Sequence, residues 1–524
     1  MSGRGPSAAD TPLRRAPLLV GLLALLWILS LVLQDAYPDE VEHLHVAWLV
    51  GKLGLVPLRD FFQHHTPLLW ELLAPYYRWG GDGAEGLFYG RAIVVVCAVG
   101  ITLGVYRLAR ERASDRGACE HAFALAMVSF VTISVTFVAL VTLRPETLSA
   151  ALASLALACW LSGTAAGAAP PAPARRLALD AAAGALFGAA LYSSPRFALL
   201  GGIFFLFGAR PDRILEGPLA RLALLAAGAV GGFAALATTT GYGFEYLKFA
   251  VLFSAHLQKV GEPGLLEGQY GQLHARMPWL LAAVTQVVYV FVAFFFLLPR
   301  AERRRLALHV AYTAAVLAIS LAVSWPYFYV QNFYPALLLV ALQIAYFAAR
   351  LDWRGFALGR IYLGASAALC ALALFWSVAV SVAAGETLLD AVLFRKQMLK
   401  LVRENESVLV AYENHPIAAR DASFYGPGLV DSQDRMCQAV ATWTGGPALP
   451  PCDYYEDLVA RNPVIVDFRL RTMMPLQKRG AGQALMAQRY EPAVFTSVAG
   501  KLKLRGVYVQ PAILERARSQ PAAR

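Results

Sequence analysis

Apolar runs of about twenty residues, each long enough to cross the hydrocarbon core of a bilayer as a helix, recur along most of this chain. They fall near 16–33, 87–106, 119–141, 146–162, 177–193, 197–209, 219–239, 277–298, 306–324, 330–349 and 361–384. Lipid offers no partner for an open peptide group, so such runs must close their hydrogen bonds internally as helices. The expectation is a polytopic α-helical membrane protein with about eleven transmembrane helices, in which 197–209 is short for an independent span. Composition agrees: 58% of residues are hydrophobic and 15% charged, where a soluble domain averages about a quarter charged. A string of soluble domains is excluded.

The net charge of +11 sits largely in short clusters between apolar runs: Arg14-Arg15, Arg107 to Arg116, Arg175-Arg176, Arg300 to Arg305 and Arg350 to Arg360. This is the charge bias of cytoplasmic loops, and with eleven spans every cluster lands on the cytoplasmic side. No basic patch interleaved with aromatic residues occurs, so nucleic acid is not an expected partner. The first run follows a basic N-terminus without a small-residue cleavage site and reads as an uncleaved span whose N-terminus is cytoplasmic. An odd count then places the C-terminal part outside.

Three extracytoplasmic pieces follow: a first loop, 34–86; a second loop, 240–276; and a tail, 385–524, where hydropathy falls to that of a soluble domain. The membrane domain is thus 1–384. In the tail, Ser407–Tyr412 and Pro463–Phe468 read as buried strands, Tyr454–Arg461 as a helix between them and Leu502–Gln510 as a later strand, which makes a small α/β domain. Cys97, Cys119, Cys159 and Cys370 lie in or beside apolar spans. Cys437 and Cys452 are the only pair in the tail, and in an oxidising compartment they are expected to form a disulfide. The stretch Gly163–Pro173 is a low-complexity linker.

The first loop concentrates chemistry. Asp39 and Glu40 follow Pro38 directly after the first span, and residues 41–54 have helical spacing, with Val41, Leu44, His45, Trp48 and Leu49 on one side. Such a helix lies along the membrane surface and holds the acids at its N-terminus. Beyond it, Arg59, Asp60, His64 and His65 are packed among aromatic residues. Asp39 also suits a helix cap. Arg144, in Leu143-Arg144-Pro145-Glu146, and Arg196, after Ser193-Ser194-Pro195, fall at the external mouths between spans. A cation at a membrane edge must pair or reach water, which marks both, with Glu146, as candidate site residues. Arg59 has Asp60 as an alternative partner, as Arg144 has Glu146.

These residues resemble those of a known class. An Asp-Glu pair after the first span, a surface helix and an aromatic stretch ending in His-x-Pro-Leu look like the GT-C integral-membrane glycosyltransferases. Asp39-Glu40 and His65-Thr66-Pro67-Leu68 are similar to the Asp-Glu pair and the His-Pro-Pro-Leu stretch of protein O-mannosyltransferases, with Thr66 in place of a proline. Pro67-Leu68 also resembles the Pro-Pro-Leu of lipid A aminoarabinose transferases. The motifs cover residues 1–100; beyond them the resemblance rests on the many spans and the external C-terminal domain.

What the resemblance implies is transfer of a sugar from a polyprenyl-phosphate donor to an acceptor hydroxyl outside the cytoplasm, with inversion. Asp39 would be the general base and Glu40 its helper. It favours Arg196 as the residue that holds the lipid phosphate, and a second loop, with His256 and Arg276, that closes over the donor. His43, His64 and His65 are read as hydrogen-bonding acceptor, phosphate or Asp39. Zinc or manganese would accept these imidazoles and acids, but His43 and His45, two apart on a helix, diverge; no cofactor is expected. The acceptor is a glycan, a glycolipid or a protein, and alanine- and arginine-rich usage points to a bacterial plasma membrane.

The rival reading is a polyprenyl-lipid carrier or flippase without enzymatic activity. That class places ionisable groups at the bilayer midplane in two related halves. Here the unusual polar residues gather at span ends on one face. A receptor whose tail binds a ligand leaves the Asp-Glu loop unexplained. The Trp325–Tyr334 stretch reads as an interfacial aromatic belt.

Overall fold

The computed structural model describes residues 16–519 apart from 82, 137–141, 164–171, 209–217, 243–245, 249, 251–280, 282–283, 286, 325–329, 352, 354–356, 385–386, 411–413, 422–460, 468–489, 494, 497–501 and 504–506. The chain is mostly helical. Its first part runs through α1 (Ala16–Leu33), α2 (Pro38–Leu53), α3 (Leu68–Arg78), α4 (Gly86–Arg112), α5 (Arg116–Thr136), α6 (Pro145–Ser162), α7 (Pro173–Ser193), α8 (Ile203–Gly208) and α9 (Pro218–Thr239). Later helices span Arg300–Ser324, Tyr334–Ala348, Ala357–Ala384 and Leu388–Leu399.

Among the described residues, four helical stretches are long and apolar enough to cross a membrane on their own: Gly86–Arg112, Ala220–Thr239, Arg300–Val323 and Ile361–Leu399. Their outer faces expose Val96, Val99, Val230, Leu308, Ile361 and Phe375, an apolar coat suited to lipid. The helix Tyr334–Ala348 is buried along its whole length. The short segment 197–209 holds a 3-10 turn, Pro195–Leu200, followed by a helix of six residues, Ile203–Gly208.

Close approach between helices comes from glycine. Gly184 and Gly188 on α7 face Gly228 and Gly232 on α9, two G-x-x-x-G patterns that let the backbones meet. A Cβ at Gly188 would lie 2.2 Å from the Ala229 carbonyl oxygen, and one at Gly184 2.4 Å from that of Leu225. Where the same helices end, Arg221 donates to Asp180 at 2.5 and 2.7 Å and lies 4.0 Å above the Trp160 ring.

The feature that sets up the candidate site is a bend of 69° between α1 and α2. Pro38 stands at the first helical position, where its missing N–H costs nothing. Arg91 of α4 holds the corner: it donates to both Glu40 oxygens at 2.6 and 2.7 Å and to the carbonyls of Leu31 and Asp35 at 3.2 and 3.0 Å. Thus an open C-terminal carbonyl of α1, the link after it and the first turn of α2 share one guanidinium. Expected to lie on the membrane surface with one face open, α2 is instead buried on most sides, His43, Val46 and Ala47 included. It packs against α3 on one side, while the tail lies over His45 on another.

In the tail, β1 (Ser407–Leu409), β2 (Arg420–Asp421), β3 (Ile465–Asp467), β4 (Glu491–Pro492) and β7 (Val507–Val509) form a sheet of order β2-β1-β3-β7-β4. β1 runs parallel to β2 and β3, and β7 antiparallel to β3 and β4. Val408, Val410, Ile465 and Val509 make its core with Phe394 and Met398. The stretch expected as one late strand contains two, β6 (Leu502–Lys503) and β7, of which β6 pairs with β5 (Phe495–Thr496). The expected helix 454–461, apart from Arg461, and both tail cysteines, Cys437 and Cys452, lie outside the described residues.

Candidate functional site

The first turns of α2 set three polar side chains towards the loop that follows: Asp39, Glu42 and His43, at i, i+3 and i+4. Asp39 forms an ion pair with Arg144, which sits immediately before α6 and stacks 5.1 Å over the Tyr37 ring. Two residues on, in the first turn of α6, Glu146 pairs with Arg196 at 2.8 Å, from the turn that follows α7. Two acid–arginine pairs therefore stand at the ends of α2, α6 and α7.

The stretch Gln63–Thr66 closes the other side. Gln63 accepts the N–H groups of His64 and His65 at 2.7 and 3.0 Å and donates to Glu42 at 3.2 Å. His65 lies 3.9 Å from Glu42, its ring 5.0 Å from that of His43 and 4.1 Å from that of His64. Thr66, where the resembling motif has proline, donates its hydroxyl to the Ser193 carbonyl, and Ser193 donates to that of Pro145 at 3.0 Å. From the start of the second loop, the Tyr246 hydroxyl donates to the His65 carbonyl at 2.7 Å.

The electrostatics follow from this crowding. Burial and the neighbouring Asp39 push the Glu42 carboxyl up to about 8. Burial and Arg144 push His43 down to about 3, burial and Arg196 push His64 down to about 4, and His65 is held well below its usual value by burial and both neighbouring imidazoles. The three rings are thus neutral at pH 7 and act as hydrogen-bond partners, while the cations of the cluster are the arginines. The buried His43 Nδ1 has no hydrogen-bond partner among the described residues. Glu42, His64 and His65 each turn one ligand atom towards a common region, all within 4.8 Å, and are the set here that could hold a divalent cation.

Asp39, His43, His64, His65, Arg144, Glu146 and Arg196 are therefore brought together. Two residues singled out with them are not. Glu40 is fully buried, with both oxygens taken by Arg91, so its carboxylate is committed to the α1–α2 corner. Arg59 is exposed and pairs with Asp60 at 2.7 Å. His256 and Arg276 lie outside the described residues, as does the first half of the aromatic stretch 325–334. The sequence reading overlooked Glu42, although three residues after Asp39 on a helix is the signal that places it on the same face. A cavity of about 810 Å³ lined by Val20, Arg110, Asp115, Arg116 and Phe123 opens at the other ends of α1 and α4 and shares no residue with the cluster.

No protein-family model and no curated protein matches the chain by sequence. Solved structures match it by shape. ArnT from Cupriavidus metallidurans in the apo state superposes with a TM-score of 0.50 at 14% identity, over 77% of this chain and 84% of that one. The same protein bound to undecaprenyl phosphate gives 0.49 at 14% identity, over 76% and 84%. The apo oligosaccharyltransferase of Archaeoglobus fulgidus gives 0.43 at 12% identity, over 93% and 74%. ArnT is a GT-C glycosyltransferase, and the likeness to it shows that the chain has the GT-C fold.

Proposed function

We propose that this GT-C-fold chain is a glycosyltransferase that moves a sugar from a polyprenyl-phosphate donor to an acceptor hydroxyl on the extracytoplasmic side of the membrane. The observation that carries the reading is the pairing of Asp39 with Arg144 beside that of Glu146 with Arg196. Two cations held by two acids at a membrane edge are a ready site for a phosphate, which competes for both guanidiniums. In the shared fold, ArnT has been solved with undecaprenyl phosphate bound.

The chemistry suits the residues. When the donor phosphate takes Arg144, Asp39 is released as a free carboxylate next to the acceptor. The acceptor oxygen then attacks the anomeric carbon as its proton passes to Asp39, and the bond from that carbon to the phosphate oxygen breaks. The electron pair leaves with the phosphate, whose negative charge Arg144 and Arg196 stabilise, and the sugar's configuration inverts. His43, with its open Nδ1, and His64 and His65, all neutral, orient hydroxyls of sugar or acceptor. A divalent cation held by Glu42, His64 and His65 would add charge stabilisation at the same phosphate. Because the two arginines already supply that charge, transfer is expected to persist in EDTA. The acceptor class is a glycan, a glycolipid or a protein, and the setting a bacterial plasma membrane.

The test uses purified protein in nanodiscs with a panel of radiolabelled polyprenyl-phosphate sugars and membrane extract as acceptor. Loss of label from one donor by wild type, abolished in Asp39→Asn with donor binding kept, supports the reading. Undiminished turnover by Asp39→Asn removes Asp39 as the base. Tight donor binding without turnover in any extract moves the assignment to a lipid carrier.

A further inference from the structure

On a side of α2 away from His43, His45 meets the tail. The Ile417 N–H donates to His415 Nδ1 at 3.0 Å, and His415 Nε2 lies 3.1 Å from Asp421 Oδ1. His45 Nε2 lies 2.9 Å from Asp421 Oδ2, and His45 Nδ1 2.7 Å from the Ile417 carbonyl oxygen. The four contacts close a ring between groups 372 residues apart in sequence. His45 and His415 are buried.

The partners fix the protons. A backbone N–H only donates, so His415 Nδ1 is bare and its proton sits on Nε2, donated to Asp421. A carbonyl only accepts, so His45 Nδ1 carries a proton. Burial works against an ionised Asp421, yet His45 and His415 hold its carboxyl below the usual range. Its second oxygen faces His45 Nε2. The titratable groups that act on this ring from its surroundings are Glu42 on α2, beside Asp421, and Arg395 on the helix Leu388–Leu399, beside His415. With a proton on Nε2, His415 has no lone pair for a cation, so the trio is a docking contact and not a metal site.

The docking is specific. Asp421 lies on β2, the edge strand of the sheet, and is braced through β1 by the tail's own core. Ile417 is held at φ 67°, a left-handed backbone that a β-branched residue adopts at a cost of about 1–3 kcal/mol and that is sustained here by both of its hydrogen bonds. Beside it, a Cβ on Gly83 of the first loop would come 2.3 Å from the Ala418 side chain, and Lys396 pairs with Glu85.

We propose that His45, Asp421 and His415 form a latch by which the C-terminal sheet positions α2, and with it Asp39, Glu42 and His43, for catalysis. These are positioning residues: none of them touches substrate. The inference rests on the glycosyl-transfer reading, and the test separates the two. Full-length protein in nanodiscs is assayed with the donor that wild type consumes, comparing Asp421→Ala with Asp421→Asn. An asparagine can accept from His415 and donate to a singly protonated His45, so it keeps every bond of the ring; alanine keeps none at that position.

Asp421→Ala is expected to lower kcat by at least about tenfold, since small misplacements of catalytic groups carry penalties of that order, with donor KM unchanged. Asp421→Asn is expected to stay near wild type. Wild-type kcat in Asp421→Ala overturns the latch. An equal loss in Ala and Asn overturns it too, because the carboxylate itself is then required. A raised KM at constant kcat makes Asp421 a donor-binding residue instead. Should Asp421→Ala fail to fold, His45→Gln takes its place: it keeps the bond to Asp421 and forfeits that to Ile417, and an unchanged kcat again overturns the latch. If wild type turns over no donor, it is the transferase reading that falls.

Discussion

At Glu42 the cluster makes a proton-dependent demand on the fold. Below pH 4.5 the carboxyl is neutral whether the chain is folded or not. Between 4.5 and about 8 the unfolded chain ionises it while the folded protein keeps its proton, so stability falls as pH rises through that window. Glu42→Gln mimics the neutral acid and still accepts from Gln63. Its melting temperature relative to wild type is expected to rise from pH 5 to pH 8, and a difference that does not change with pH would mean Glu42 is not held protonated. Asp39, Arg144 and Arg196 were legible in the sequence because a charge at a span end is costly without a purpose. The pairing of Glu40 with Arg91 was not legible, since Arg91 lies inside an apolar run and only packing reveals that the two meet. Asp421 was out of reach for a related reason: its partner His45 lies on a helix read as open to one side.

Hydropathy found most helices within a few residues of their ends, as with α1, α6 and the helix Ala357–Ala384. It does not tell a helix coated by lipid from one coated by protein. The short segment 197–209 holds a 3-10 turn and a six-residue helix, and its Phe197, Leu200, Phe204 and Phe207 are buried in the bundle. Nor does mean apolarity register spacing. The G-x-x-x-G patterns at 184–188 and 228–232 were present in the sequence and specify which helices touch. Gly188→Val sets a branched side chain against the Ala229 carbonyl and is expected to cost at least about 1–3 kcal/mol by overpacking. The readout is a lower melting temperature in detergent. An unshifted transition would mean that α7 and α9 do not meet at this glycine.

For the whole molecule, the sidedness read from basic clusters predicts that Arg59 and Arg116 face opposite compartments. Both are exposed, with side chains 68% and 92% accessible. In a cysteine-free background, Arg59→Cys is expected to react with a membrane-impermeant maleimide on intact cells, and Arg116→Cys only after permeabilisation. The opposite pattern would put the cluster in the cytoplasm and rule out the proposed donor side. Sequence alone revealed the many apolar helices and the sheet-forming tail, because each is written in local periodicity. What joins them is not local, and the α1–α2 corner shows what that entails for biogenesis. The carbonyls of Leu31 and Asp35 and the carboxylate of Glu40 all await Arg91. A nascent chain that has emerged only as far as α3 has no means of locking this corner. The α1–α2 hairpin entering the bilayer must therefore tolerate an unset elbow until α4 follows, so the geometry around Asp39 is set only after its own residues have been made.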